Sequence, residues 1–258
     1  MAEICVLYSF ARSGGTLLNR LLGVHPDCWV LSEVNPAGAV ISVAQQAHEW
    51  LGAITEDEYR SFSDLSYGRQ IERLAAIATE REKRLIVRDW VTVNFLSGVG
   101  GPWQFPSETL EQAVYLDAME LDVTALVLTR RAGDVYGSIR RAFSQLTQLD
   151  EDTFAAAYLK YATAVASLPR VSLESLQQAP QENLCAVMRI LGISEEYVEQ
   201  QIVNFSDFVE CTGDVGVADS RTAALTRIEP QTKRSTSDQP LYSHPDMIAA
   251  DQLLGYAI

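Results

Sequence analysis

The chain is short of the residues that thiol and metal chemistry depend on. Three histidines (25, 48, 244) and four cysteines (5, 28, 185, 211) are scattered through 258 residues, and no two cysteines form a CxxC pair. That spacing argues against a structural zinc site and, in a chain this long, against a disulfide framework. It suits a reducing cytosol and predicts a cytoplasmic protein. Basic residues are also scarce: Lys and Arg total 20 against 34 Asp and Glu, a net charge of −14. A general nucleic-acid binder needs a basic face for counterion release, and docking on anionic lipid needs the same. No apolar run approaches the roughly 18 residues of a membrane span. The opening MAEICVLYSF lacks a basic n-region, so it reads as a first strand rather than a signal peptide.

What is present is enough for a large core. The hydrophobic fraction is 47% and the charged fraction 21%, consistent with one large domain. Short apolar runs at 4–10, 28–31, 85–88 and 123–129 read as strands. Helical patterns fall at 17–22, 70–84 and 109–119, with a capping box expected at Thr55 and Glu58. Val135, Ile139, Phe143 and Leu146 recur at helical spacing, as do Phe154, Tyr158, Tyr161 and Val165. A further helix carries Leu184, Val187, Met188 and Leu191 and stops at Gly192. The stretch WVTVNFLSGVGGPWQFPS, rich in glycine and proline, reads as an exposed functional loop, and the chain is polar and poorly periodic from 211 to 240. Strands alternating with helices predict an α/β fold with a mainly parallel sheet flanked by helices. Ligands of such sheets bind at the carboxyl ends of the strands. Arg12, Glu33, Arg88 and Arg130 each follow or close a predicted strand and so share one edge.

The segment Phe10-Ala11-Arg12-Ser13-Gly14-Gly15-Thr16 joins a strand to a helix. Its glycines let successive N–H groups point at an anion, and the helix N-terminus adds partial positive charge. Arg12 supplies forked donors suited to phosphate or sulfate, and Ser13 and Thr16 supply hydroxyls. By itself the segment fits an ordinary glycine turn equally well. It is not a Walker A motif, because no lysine follows the glycines.

The stretch RSGGTLLNRLLGVHPDCWVLSE resembles the sulfotransferase family, with a loop closest to the tyrosylprotein and carbohydrate type, R-S-G-[TS]-T-L. His25, Pro26 and Asp27 extend the match. A second signature of the family, a strand followed by R-x₇-S, matches Arg130 and Ser138. A third, weaker match is VSLESLQQAP with the later LGIS, where Leu173 replaces the family's tyrosine. The resemblance spans about residues 4–195. It implies a P-loop NTPase-like three-layer fold, a single domain over 1–258 with a polar segment of unassigned role from 210, and 3′-phosphoadenosine 5′-phosphosulfate (PAPS) as co-substrate. It assigns Arg12, Ser13, Gly14, Gly15, Thr16 and Leu17 to the 5′-phosphosulfate, and Arg130 and Ser138 to the 3′-phosphate. Glu33 stands twenty-one residues after Arg12, the family's spacing for a catalytic glutamate, and becomes the expected general base, with His25 as runner-up. Arg88 occupies the place of a lysine in related enzymes. It keeps the charge but is a poorer proton donor.

Arg12 and Arg88 would stabilise sulfuryl charge, although Arg88 with Asp89 fits a local ion pair as well. Trp90, Phe95 and Trp103, with Phe105, are candidates for an acceptor pocket or lid, or for a simple cover on the sheet edge. The charge of −14 disfavours polyanionic acceptors, so a small, neutral hydroxyl (or amine) compound is expected. The mechanism requires no metal, and no ligand cluster for one is visible. A P-loop nucleotide kinase or phosphotransferase, and a catalytically inactive nucleotide-binding module, are the competing readings.

Overall fold

The computed structural model describes residues 3–99, 105–119, 121–142, 149–212, 228 and 244–257. Among these residues six strands form one sheet: β1 (Glu3–Ser9), β2 (Cys28–Asn35), β3 (Gly38–Ala39), β4 (Arg84–Asp89), β5 (Asp122–Thr129) and β6 (Arg170–Ser172). Their order is β3-β2-β4-β1-β5-β6. All pairings are parallel except the short β2–β3 hairpin. The predicted α/β class and mainly parallel sheet are therefore present.

β1 is apolar on both faces because both faces are covered, as parallel sheets require. Ile4, Val6 and Tyr8 enter one core; Cys5 and Leu7 enter the other. The second core is closed by α1 (Gly15–Gly23), α8 (Leu173–Gln178), α9 (Pro180–Ile190) and α10 (Val198–Asn204). The first is closed by α2 (Val43–Gln45), α3 (Glu56–Ser63), α4 (Tyr67–Glu80), α5 (Glu111–Asp117), α6 (Ala132–Ala142), α7 (Glu151–Val165) and α11 (Pro245–Leu253). The result is three layers. The Thr55–Glu58 capping box starts α3, and Gly192, with φ of 65°, ends the turn after α9.

Three expectations shift. The second strand does not stop after the apolar run 28–31 but continues through Glu33 to Asn35, because β2 accommodates an extra residue. Leu31 pairs with Val87 and Val34 with Asp89, so three steps on β2 span two on β4. The helix expected over 70–84 is α4, ending at Glu80. The segment after β4 is not exposed at its start: residues Val91–Asn94 form a buried 3₁₀ turn, and Phe95 and Leu96 are buried as well. Phe143, Leu146 and Trp103 lie outside the described residues. Among the described residues no helix is long and apolar enough to cross a membrane.

Candidate active site

β1 lies centrally, with β4 on one side and β5 on the other. The loop leaving it therefore opens at a topological switch point, where ligands of open α/β sheets bind. Ser13 N–H donates to the Phe10 carbonyl at 3.0 Å and closes the turn. Arg12 takes a left-handed φ of 69°, and Gly14 follows at 94°. Alternating hands of this kind turn successive N–H groups toward one point. Gly14 is also required by space: a Cβ there would stand 2.6 Å from Leu173 Cδ1. At Gly15 it would stand 2.8 Å from Arg88 Nε. Both glycines thus admit close neighbours at the start of α1. The Ser13 hydroxyl is fully buried and has no hydrogen-bond partner among the described residues.

Arg12 Nε donates to Ser138 Oγ at 3.1 Å, and Arg130 Nη1 donates to the Arg12 carbonyl at 2.9 Å. The two family signatures, 118 residues apart between Arg12 and Arg130, are therefore in direct contact. Leu17 is a core residue, so only its backbone is available to a ligand.

Arg88 and Asp89 are adjacent on β4 and point to opposite faces of the sheet. They form no ion pair among the described residues. Arg88 instead donates from Nη2 to Glu33 Oε1 at 2.8 Å, with both side chains largely buried. Its Nη1 donates to Ser32 Oγ at 3.1 Å and to the Thr212 carbonyl at 3.4 Å. Arg88 Nε, beside Gly15, has no partner among the described residues. Glu33 takes a left-handed φ of 51° at the β2 irregularity. Among the described residues four non-glycine residues have positive φ, and Arg12 and Glu33 are two of them. Such conformations concentrate at sites the surrounding structure over-determines.

The determinant at Glu33 is Gln46, which the sequence reading missed. Its amide brackets Ser32, accepting from Ser32 N–H at 2.7 Å and donating to the Ser32 carbonyl at 2.9 Å and the Ile41 carbonyl at 2.8 Å. Gln46 opens a π-helical turn, Gln46–Trp50, that continues α2. Ser32 and Thr212 were also missed. Thr212 donates its N–H to Ser32 Oγ at 3.0 Å, while its carbonyl accepts from Thr16 Oγ1 at 3.3 Å and from Arg88. Ser32 stands next to last in the stretch that carries the resemblance, but no local motif marks Gln46 or Thr212; only the fold brings the three together.

On the other face, Asp89 is buried and accepts from Asn35 Nδ2 at 2.7 Å, and the same amide donates to Asn94 Oδ1 at 2.8 Å. Burial pushes its carboxyl up to about 8, against the opposing hydrogen bond from Asn35. Tyr67 donates to Gln112 nearby. Phe95 is 4% exposed and packs edge-on to Tyr161. That corrects the expectation of a lid residue: Phe95 is core. Trp90 is half-buried, and Phe105 is 87% exposed. His25 lies at the far end of α1 from the loop, bonded to the Ser194 carbonyl and the Asp27 N–H. Its pKa is lowered by burial. It is a structural histidine, remote from Glu33. His48 likewise faces the Ile54 carbonyl and Glu56.

No protein-family model and no curated protein matches the sequence. Solved structures do. The sulfotransferase domain of the Synechococcus PCC 7002 olefin synthase superposes with a TM-score of 0.66 at 17% identity, covering 99% of this chain and 95% of that one. The sulfotransferase domain from the curacin biosynthetic pathway superposes with a TM-score of 0.60 at 15% identity, covering 100% and 99%. At these identities the likeness is one of fold, and the chain has the sulfotransferase-domain fold.

Proposed function

We propose that the protein transfers a sulfuryl group from PAPS to the hydroxyl of a small, neutral acceptor, with Glu33 as general base. The observation that carries this reading is the convergence at one sheet edge of an anion cradle and a carboxylate, joined by Arg88. The cradle is the loop of residues 10–16 with the N-terminus of α1. Its buried Ser13 hydroxyl and the Arg88 Nε, both without a partner among the described residues, suit the oxygens of a bound phosphosulfate. Arg130 and Ser138, tied to Arg12, suit a second phosphate on the same nucleotide. The solved structures that share this fold are sulfotransferase domains, which supports the same chemistry.

In the proposed step, the acceptor oxygen forms a bond to sulfur as the bond from sulfur to the bridging oxygen breaks. The electron pair leaves on the 5′-phosphate of adenosine 3′,5′-bisphosphate, and the acceptor proton passes to Glu33. Arg88 holds Glu33 through Oε1, which leaves Oε2 for that proton. Arg12 and Arg88 meet the charge that develops on the sulfuryl and bridging oxygens. Trp90, half-buried and two residues after Arg88, is the aromatic proposed to meet the acceptor.

Calorimetric titration with adenosine 3′,5′-bisphosphate, in parallel with ATP and Mg²⁺, tests the reading. Wild type should bind the bisphosphate, and Arg130→Ala should lose most of that binding. Glu33→Gln should retain it while sulfuryl transfer falls about 10²–10⁴-fold. A wild type that binds ATP with Mg²⁺ and not the bisphosphate would sink the proposal in favour of a phosphotransferase.

A further inference from the structure

Arg130 is held from a direction unrelated to the loop it contacts. The first N–H of α6, at Ala132, donates to Asp251 Oδ1 at 2.8 Å. The N–H before it, at Arg131, donates to Glu174 Oε1 at 3.3 Å. Two carboxylates from distant elements therefore stand at the positive end of the helix that carries Ser138. Tyr256, just beyond α11, donates its hydroxyl to Glu174 Oε2 at 2.9 Å and lies 3.1 Å from Thr129 Oγ1. The Arg131 guanidinium covers the Tyr256 ring at 5.0 Å and donates to the Ala257 carbonyl at 3.3 Å. The C-terminal segment thus grips the chain at 129, 131 and 132. The Arg130 carbonyl is fixed from a third side by the Tyr158 hydroxyl at 2.7 Å. The Arg130 side chain is left to reach the Arg12 carbonyl, next to the Arg12–Ser138 bond.

We infer that α11 and the residues after it are a positioning element of the nucleotide site, with Asp251 and Tyr256 fixing Arg130 and Ser138 for a 3′-phosphate. The inference rests on the nucleotide reading proposed above. It concerns residues beyond the 4–195 stretch that carries the sequence resemblance. Asp251 acts through the backbone of α6: with the cap in place, the helix start and the arginine two residues before it stay in register. Without it the N–H of Ala132 is orphaned and the turn frays.

The test is calorimetry on the full chain with two probes, adenosine 3′,5′-bisphosphate and adenosine 5′-monophosphate, which lacks the 3′-phosphate. Asp251→Ala should weaken the bisphosphate about fivefold to thirtyfold while monophosphate affinity stays near wild type. Asp251→Asn, whose side-chain oxygen still accepts from Ala132, should restore the preference. Tyr256→Phe removes only a hydroxyl, keeps the ring under Arg131, and should narrow the preference in the same direction. It is the deciding variant should Asp251→Ala fail to fold. A merely structural role would move both ligands together. A wild type that prefers neither ligand would overturn the nucleotide reading and this inference with it. A wild-type preference that persists unchanged in the folded variants would overturn this inference alone.

Discussion

Arg88 and Asp89 show how one bond along a strand separates two chemistries. Arg88 faces the loop and α1 and pairs with Glu33; Asp89 faces the other core, bonded to Asn35, which reaches Asn94, and near enough to the tyrosines at 8, 67 and 161 to act on them electrostatically. Its carboxyl keeps its proton to about pH 8 in the folded protein, against 3.8 ordinarily, because burial disfavours the charge. Between those values the folded state binds more protons than the unfolded chain. Stability therefore falls as pH rises through that window. Asp89→Asn keeps the acceptor for Asn35 and removes the titration. Urea unfolding from pH 5 to 9 should show a falling midpoint in wild type relative to the variant. Parallel midpoints would refute the buried neutral acid. None of this was legible in IVRD, where the arginine and aspartate read equally well as partners.

At the scale of elements, the site depends on one extra residue in β2. The irregularity opposite β4 turns Glu33 toward Arg88, and Gln46 holds it by satisfying both backbone groups of Ser32. Gln46→Ala leaves those groups and the Ile41 carbonyl unpaired in the core. It should cost about 2–4 kcal/mol of stability by chemical denaturation. Turnover should fall, while bisphosphate affinity, which the proposed function assigns to the loop of residues 10–16 and to Arg130, should change little. A variant with full stability would show that the bracket is dispensable. The strand–glycine loop–helix unit was readable because its logic is local: an apolar run, glycines where positive φ is needed, then helical periodicity. The bulge was not, because it exists only in the pairing of β2 with β4. Phe95 was misread for a related reason: glycine and proline nearby suggested an open loop, but the tertiary fold buries residues 91–96 first.

For the whole molecule, a net charge of −14 coexists with three arginines gathered at one sheet edge. Under the proposed function, local donors, and not the overall field, would hold the polyanionic nucleotide. Binding to the folded state alone stabilises it by mass action, about 2.7 kcal/mol at a hundredfold excess over Kd. For a chain of this size that is a rise in Tm of roughly 5–10 °C with adenosine 3′,5′-bisphosphate. Thermal melts with and without the bisphosphate check this. An unmoved melting point at concentrations that saturate binding would contradict a site confined to the native fold.

By itself the sequence determined the α/β class and the strand–glycine loop–helix unit that opens at β1, because both rest on local periodicity, while the two arginine signatures entered through the family resemblance. It also carried Glu33, though only through a family spacing. Tertiary structure alone decided that Arg88 serves Glu33 and not Asp89, that Gln46 and Thr212 border the site, and that the C-terminal helix reaches the start of α6. Those contacts join residues up to 196 positions apart. No local pattern encodes such a meeting. It follows from the order in which a parallel sheet stacks its strands and brings their carboxyl ends to one edge.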